Sequence, residues 1–257
     1  MKKYVNLFVF VFMIGACLSQ GRAQTKSAVS YKNPVVDIAM PDPTVIKAAD
    51  GYFYVYATES TRNVPIMKSK DLVEWTYCNT AFTNKTRPRF EPKAGIWAPD
   101  INYINGKYVL YYAMSVWGGE QTCGIGVATA DSPQGPFTDH GKMFRSNEIG
   151  VQNSIDPSLL QYEGRNYLVW GSFRGIYVIE LTADGLSIMP GAKKKRIAGT
   201  AFEAVYIHKH GDYYYMFASI GSCCQGVKST YKVVVGRSKK VWGPYKDKTG
   251  KPMLKNG

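Results

Sequence analysis

The sequence predicts an all-β fold assembled from repeated four-stranded antiparallel sheets, and three observations predict it. The 257-residue chain carries 19 Tyr, 11 Phe and 5 Trp, and aromatic and β-branched side chains favour pleated, half-buried strands. Beyond the first 20 residues no long apolar stretch repeats with a helical period. A phrase also recurs four times: an acid, a strand-like run, a polar turn containing Gly, and an aromatic strand returning. With 45% apolar residues the chain can bury a substantial core.

Taken in order, the first element is a leader. "MKKYVNLFVFVFMIGACLSQGRAQ" has two lysines and then an apolar run too short and wrongly flanked for a stable span. Residues 1–23 read as a signal peptide cut after Ala23, and 24–257 as the mature domain. A second exit is open, in which "IGAC" presents Cys17 to lipoprotein processing and leaves an acyl anchor. Either route exports the chain, to the periplasm, the extracellular space or the cell surface.

The four repeats follow. They are "PDPTVIKAADGYFYVYAT" from Pro41, "APDINYINGKYVLYYAMS" from Ala98, "IDPSLLQYEGRNYLVWGS" from Ile155 and "FEAVYIHKHGDYYYMFAS" from Phe202. Their turns, "ADGY", "INGK", "YEGR" and "KHGD", are hairpin chemistry, because Gly takes positive φ without a steric cost. Further strand-like segments follow each hairpin: "VPIMKSKDLVEWTY", "GIGVATADSPQGPFTDH", "GIYVIELTADGLSI" and "YKVVVGRSKKVWGPYKD". Aligned on their acids, Asp42, Asp100, Asp156 and Glu203, the units are spaced by 58, 56 and 47 residues. Four-strand units of this size point to a β-propeller, whose innermost strands line one axis. Acids at equivalent starts of those strands converge there. A crowd of carboxylates in one cavity repel one another and resist desolvation, which argues for a function.

Charge and cysteine content narrow the partners. The net charge is +13, and +10 without Lys2, Lys3 and Arg22 of the leader. Export argues against a nucleic-acid partner. "KKKR" at Lys193 to Arg196 reads as a solvated loop, with attraction to acidic polysaccharide as the alternative. Cys78, Cys123, Cys223 and Cys224 are packing residues or members of disulfides whose pairing sequence does not give. No Cys/His spacing resembles a zinc site.

Paired carboxylates suit glycoside hydrolysis, where one acid protonates the leaving oxygen and another activates water. A third can raise the donor's pKa and fix its orientation. Together "PDPTV", "WAPD", "SIDPSLL" and "FEAVYI" resemble glycoside hydrolase family 43, the five-bladed propellers of arabinanases, arabinofuranosidases and xylosidases. "GSCCQGVKSTYKVVVGRSKKVWGPYKDKTGKPM" is similar to the endo-1,5-α-L-arabinanase branch, and the likeness runs from Asn33 to the C-terminus. It implies that Asp42 is the general base, Glu203 the general acid, and Asp156 the residue that tunes and orients that acid. Asp42 and Glu203 should then stand about 6.5–9.5 Å apart, the spacing that leaves room for water and gives inversion. Asp100 matches a second-blade position that supports the substrate pocket.

Trp97 is either a sugar platform or a blade-core aromatic. Asn153, Ser154 and Ser172 either bond sugar hydroxyls or serve ordinary strand-edge roles. Phe82, Trp117 and Tyr206 are further platforms or packing residues. The adjacent cysteines are expected in a loop near the cleft, where Gln225 replaces the basic residue common in the family.

The resemblance also implies a fifth blade after "KPMLKNG", with a His near a central calcium ion, and no cofactor for the chemistry. His140, His208 and His210 match no such place, so no metal ligand is assigned. About four blades are therefore expected here, as part of a longer product. The expected substrate is arabinan or an arabino-oligosaccharide, the expected contact with a membrane only an anchor at Cys17, and the complete protein a monomer. Alternatives are an arabinofuranosidase or β-xylosidase of the same family, or a non-catalytic sugar-binding propeller. Fructan-cleaving propellers fit less well, because their "RDP" and "EC" signals are missing.

Overall fold

A computed structural model describes residues 30–254, and the leader with Cys17 and Ala23 lies outside them. The strands fall into four antiparallel sheets. Sheet I comprises β1 (Thr44–Lys47), β2 (Phe53–Tyr56), β3 (Pro65–Ser69) and β4 (Thr76–Thr80). Sheet II comprises β5 (Gly95–Ile104), β6 (Lys107–Ser115), β7 (Gly124–Ala130) and β8 (Thr138–Arg145). A short helix, α1 (Ser146–Ile149), leads to sheet III: β9 (Ser158–Tyr162), β10 (Arg165–Trp170), β11 (Ile176–Glu180) and β12 (Lys195–Ala198). Sheet IV has β13 (Glu203–His210), β14 (Tyr213–Ile220) and β15 (Lys232–Ser238).

Each sheet runs in sequence order, as consecutive hairpins require. β1 meets β5, β5 meets β9, and β9 meets β13. The first strands therefore stand side by side around one axis, and the sheets form four blades of a β-propeller. The expected hairpins are all present. Asn105–Gly106 (φ 48° and 84°) and Glu163–Gly164 (φ 49° and 72°) are the two-residue turns between first and second strands. Two successive positive φ values match the twist of the strands they join.

Two expectations change. Of the strand-like segment "GIYVIELTADGLSI" only β11 is a strand of sheet III; its end closes a turn through a Leu181–Ile188 bridge, and the last strand is β12. Lys195 and Arg196 of the "KKKR" run thus belong to a strand, with exposed side chains, while Ile197 and Ala198 enter the core. Among the described residues sheet IV has three strands, extended at its edge by bridges from Arg237 to Lys246 and from Lys246 to Pro252.

The blades pack face to face on aromatic side chains. Tyr56, Phe82, Tyr112 and Phe137 fill the space between sheets I and II, with Phe82 and Tyr112 edge to face at 5.7 Å. Tyr111, Phe144 and Trp170 join sheets II and III, and Phe202, Met216 and Tyr245 pack sheet IV onto sheet III. Each such side chain contributes roughly 1.5–3 kcal/mol by leaving water. Phe82 is fully buried here, so of its two readings it takes packing. Cys123 is buried and Cys78 half-buried, both as free thiols, while Cys223 and Cys224 form a disulfide.

Candidate active site

The first strands of the blades share a local device that places the acids. Asp42, Ala98, Asp156 and Ala204 all take positive φ, at 50°, 40°, 58° and 51°. In β5 the register slips between Trp97 and Asp100, and in β13 between Glu203 and Tyr206. Regular pairing resumes at Asp100 and Tyr206 there, and begins at Thr44 and Ser158 in β1 and β9. Structurally equivalent positions are therefore Asp42, Ala98, Asp156 and Ala204. The four-acid alignment needs correction: Glu203 lies one residue before this point and Asp100 two residues beyond it. Left-handed backbone costs a non-glycine residue about 1–2 kcal/mol, and its recurrence in every blade marks a site held by its surroundings.

Asp42 and Glu203 both act on Asp156. Burial, then the negative charges of Glu203 and Asp42, raise the Asp156 carboxyl well above the usual carboxylate range. A backbone N–H from Ala204 opposes this. A buried carboxyl beside two negative charges holds its proton more tightly than a free one. Around them the bonding is specific. The Thr58 hydroxyl donates to Asp42 Oδ2 at 2.6 Å and accepts the Ala98 N–H at 2.6 Å. The Ser172 hydroxyl donates to Glu203 Oε2 at 2.6 Å. Asn153 Nδ2 in turn donates to the Ser172 hydroxyl at 3.0 Å and its carbonyl at 3.1 Å. Burial and the neighbouring Glu203 carboxyl push the ionisation of Tyr231, just before β15, far above the usual tyrosine range.

The other expected residues divide. Asn153 and Ser172 lie directly behind Glu203, with Ser172 buried. Ser154 is fully buried; its hydroxyl donates to the Val151 carbonyl and accepts from Trp170 Nε1, so it faces the framework. Asp100 is buried and engaged by the Leu159 N–H at 2.7 Å, Asn102 Nδ2 at 2.7 Å and the Thr44 hydroxyl at 3.5 Å. Those partners lie on sheets I, II and III, so Asp100 ties three blades rather than facing the acids. Trp97 packs with Ile155, the residue before Asp156, and its ring stands 5.6 Å from that of Trp117. Trp117 is 78% exposed, so this pair offers an aromatic surface beside the acids. Tyr206 instead lines a separate concavity of about 670 Å³ with Asn102, Leu159 and Tyr214.

Thr58 and Tyr231 escaped the sequence reading. Both lie at blade edges with no acidic signal, although "STY" stands within a stretch that already resembled an arabinanase. Among the described residues no three His, Cys, Asp or Glu side chains are arranged to hold a metal ion. No ligand of the calcium implied by resemblance is assigned among the described residues, and no step below passes through a metal.

Comparison with known proteins agrees with this geometry. The model of glycosyl hydrolases family 43 matches residues 31–257. Extracellular endo-alpha-(1->5)-L-arabinanase 1 of Bacillus subtilis is 39% identical over 230 residues, covering 84% of this chain and 70% of that protein. Extracellular exo-alpha-(1->5)-L-arabinofuranosidase ArbA of Cellvibrio japonicus is 36% identical over 245 residues, covering 84% and 69%. The solved alpha-L-arabinanase of Cellvibrio cellulosa superposes with a TM-score of 0.77 at 33% identity, covering 86% of this chain and 77% of that one. A four-bladed arrangement with Asp42 and Glu203 acting on Asp156 at the starts of its inner strands, matched by that family model over nearly all the described residues, makes this chain a member of glycosyl hydrolases family 43.

Proposed function

We propose that the chain hydrolyses α-1,5-linked L-arabinan with inversion at the anomeric carbon. The single observation that carries this is the field shared by Asp42, Asp156 and Glu203. Asp42 is the general base. Thr58 fixes its Oδ2, leaving the other oxygen to take a proton from the attacking water. Glu203 is the general acid; Ser172 holds its Oε2, so the proton delivered to the leaving oxygen departs from the other oxygen. Asp156 retains a proton at pH values where an isolated aspartate is charged, and so limits the negative charge beside the donor. One water is consumed and one glycosidic bond breaks. The Trp97–Trp117 pair supplies the apolar face for a furanose ring, and Asn153 and Ser172 hold the acid rather than the sugar.

The named substrates of the relatives support arabinan as the substrate class, and a structure of the Cellvibrio cellulosa arabinanase holds arabinohexaose. Endo cleavage is the reading favoured by the "CCQGVKSTYK" stretch, although endo- and exo-acting relatives match almost equally. Two relatives are named extracellular, which supports export of this chain after loss of residues 1–23 or anchoring at Cys17. Reducing-sugar release from debranched arabinan, with product length by chromatography and anomeric configuration by NMR, tests the proposal. Expected are release from arabinan but not linear xylan, mixed oligosaccharides early, and loss of about 10²-fold or more in Glu203→Gln and Asp42→Asn. No release by folded protein, or full turnover by Glu203→Gln, overturns it.

A further inference from the structure

Asp42 is exposed, so packing does not fix its side chain, and its orientation depends on hydrogen bonding. Thr58, in the loop between β2 and β3, supplies a bond whose polarity is settled. The Ala98 N–H can only donate, so the Thr58 oxygen accepts it and the single hydroxyl proton is left for Asp42 Oδ2. The Thr58 N–H also donates to the carbonyl of Pro41, next to Asp42 in the chain, at 2.9 Å. One loop residue thus ties the proposed base to the first strand of the next blade. Thr58 in turn is held by the residue that follows it.

Glu59 forms a reciprocal pair with Ile96, two residues before Ala98. Its N–H donates to the Ile96 carbonyl at 3.1 Å, and the Ile96 N–H donates to Glu59 Oε1 at 2.9 Å. Glu59 Oε2 accepts the Asn63 N–H at 2.8 Å. Arg87, from the loop between β4 and β5, donates to both Glu59 oxygens, to Asn63 Oδ1 at 3.1 Å and to the Ala94 carbonyl at 2.9 Å. The Arg87 and Glu59 side chains are only 7% and 10% exposed. A buried ion pair often stabilises a fold no better than apolar side chains of similar size, so stability is a weak account of this one. The loop is also strained, because Asn63 and Val64 take φ of 74° and 66°, a region that β-branched residues rarely adopt. Such strain persists only where the surroundings enforce it, and Glu59 grips the Asn63 N–H.

We infer that the buried Glu59–Arg87 pair positions the general base. It fixes the loop between β2 and β3 against β5, Thr58 passes that geometry to Asp42, and the other oxygen of Asp42 is thereby aimed at the attacking water. Glu59 and Arg87 are positioning residues and exchange no proton in the reaction. This rests on Asp42 being the base. An ammonium is a point charge and cannot span Glu59, Asn63 and Ala94 as the planar guanidinium does. Arg87→Lys therefore keeps the charge and loosens the geometry.

Arg87→Lys, Thr58→Val and the double variant, checked for folding by circular dichroism, are assayed on debranched arabinan. Each single variant should lose roughly tenfold in kcat, within the 10²-fold cost of a misplaced reacting group, with KM nearly unchanged. Thr58→Ser, which keeps the hydroxyl, should regain most of the Thr58→Val loss. Because Arg87 acts through Thr58, the double variant should lose no more than about threefold beyond Thr58→Val, whereas independent effects multiply. An aryl arabino-oligoside whose dinitrophenolate departs without a proton separates base from acid: Glu203→Gln should recover on it and Arg87→Lys should not. A readout independent of turnover is NMR of aspartate labelled at Cγ. The resonance missing from Asp42→Asn should shift in both Arg87→Lys and Thr58→Val. Multiplied losses in the double variant, or recovery of Arg87→Lys on the aryl substrate, overturn the inference while arabinan hydrolysis by wild type still supports the proposed function. An Asp42 resonance indifferent to Arg87→Lys overturns it even if the enzyme proves inactive on arabinan.

Discussion

At Asp156, burial and the charges of Glu203 and Asp42 act in one direction, and only the Ala204 N–H opposes them. The carboxyl therefore holds its proton more tightly folded than unfolded, where an aspartate loses it near 3.9. The sign follows from linkage: its favourable contribution is complete below about pH 4 and is lost as pH rises through the raised folded value. Above that value the fold carries a charge it disfavours. Asp156→Asn keeps an oxygen to accept the Ala204 N–H but removes the ionisation. Its Tm should rise by roughly 2–4 °C at neutral pH, the shift that about 1 kcal/mol gives a domain of this size. Near pH 4 the gain should vanish. Thermal scans at the two pH values decide: an equal gain at both, or a loss at neutral pH, contradicts mutual repulsion among the acids.

The loop between β14 and β15 shows how an element can serve the site without serving global stability. Cross-linking adjacent residues removes little freedom from the unfolded chain, because disulfide stabilisation grows with the length of the closed loop. The Cys223–Cys224 bond acts instead on the local path leading to Tyr231. A Cys223→Ser, Cys224→Ser double variant should keep a Tm within about 3 °C of wild type, since 1 kcal/mol shifts a domain of this size by about that much. It should lose at least about threefold in kcat, a small part of the cost a misplaced group can exact. A large drop in Tm with unchanged kcat would make the bond a plain stabiliser. Element by element, the hairpins were legible because "NG" and "EG" announce positive φ in the residues themselves. The bulges were not, since left-handed Asp42, Ala98, Asp156 and Ala204 follow from neighbouring blades rather than from their own propensities. Alignment on acids therefore shifted Glu203 and Asp100 out of register. Ser154 and Tyr231 mislead for a related reason: proximity along the chain placed the first near the acids, and distance concealed the second.

Across the whole molecule the blades are joined by polar groups as well as by aromatic packing. Glu59 of sheet I's outer loop accepts from Arg87, the Asn63 N–H at 2.8 Å and the Ile96 N–H at 2.9 Å, reaching into sheet II. Ser158 donates to the Val205 carbonyl at 2.6 Å, from sheet III to sheet IV. Asp100 spans furthest, holding Thr44 of β1, Asn102 of its own strand and the Leu159 N–H of β9. Burial pushes its carboxyl up to about 6, against the opposing bonds from Leu159, Asn102 and Thr44. Its contribution is thus complete below about pH 4 and diminishes as pH climbs through about 6. Asp100→Ala should leave the Leu159 N–H unpaired and cost roughly 2–4 kcal/mol, given about 1–3 for each buried donor or acceptor stranded. Urea unfolding of wild type and variant from pH 4 to pH 7 measures this. The gap should be widest at the acid end and narrow as pH passes about 6. Because the other acids titrate alike in both proteins, their effect cancels in the difference. A gap that widens with pH, or a midpoint equal to wild type throughout, would mean that Asp100 does not hold the blades together.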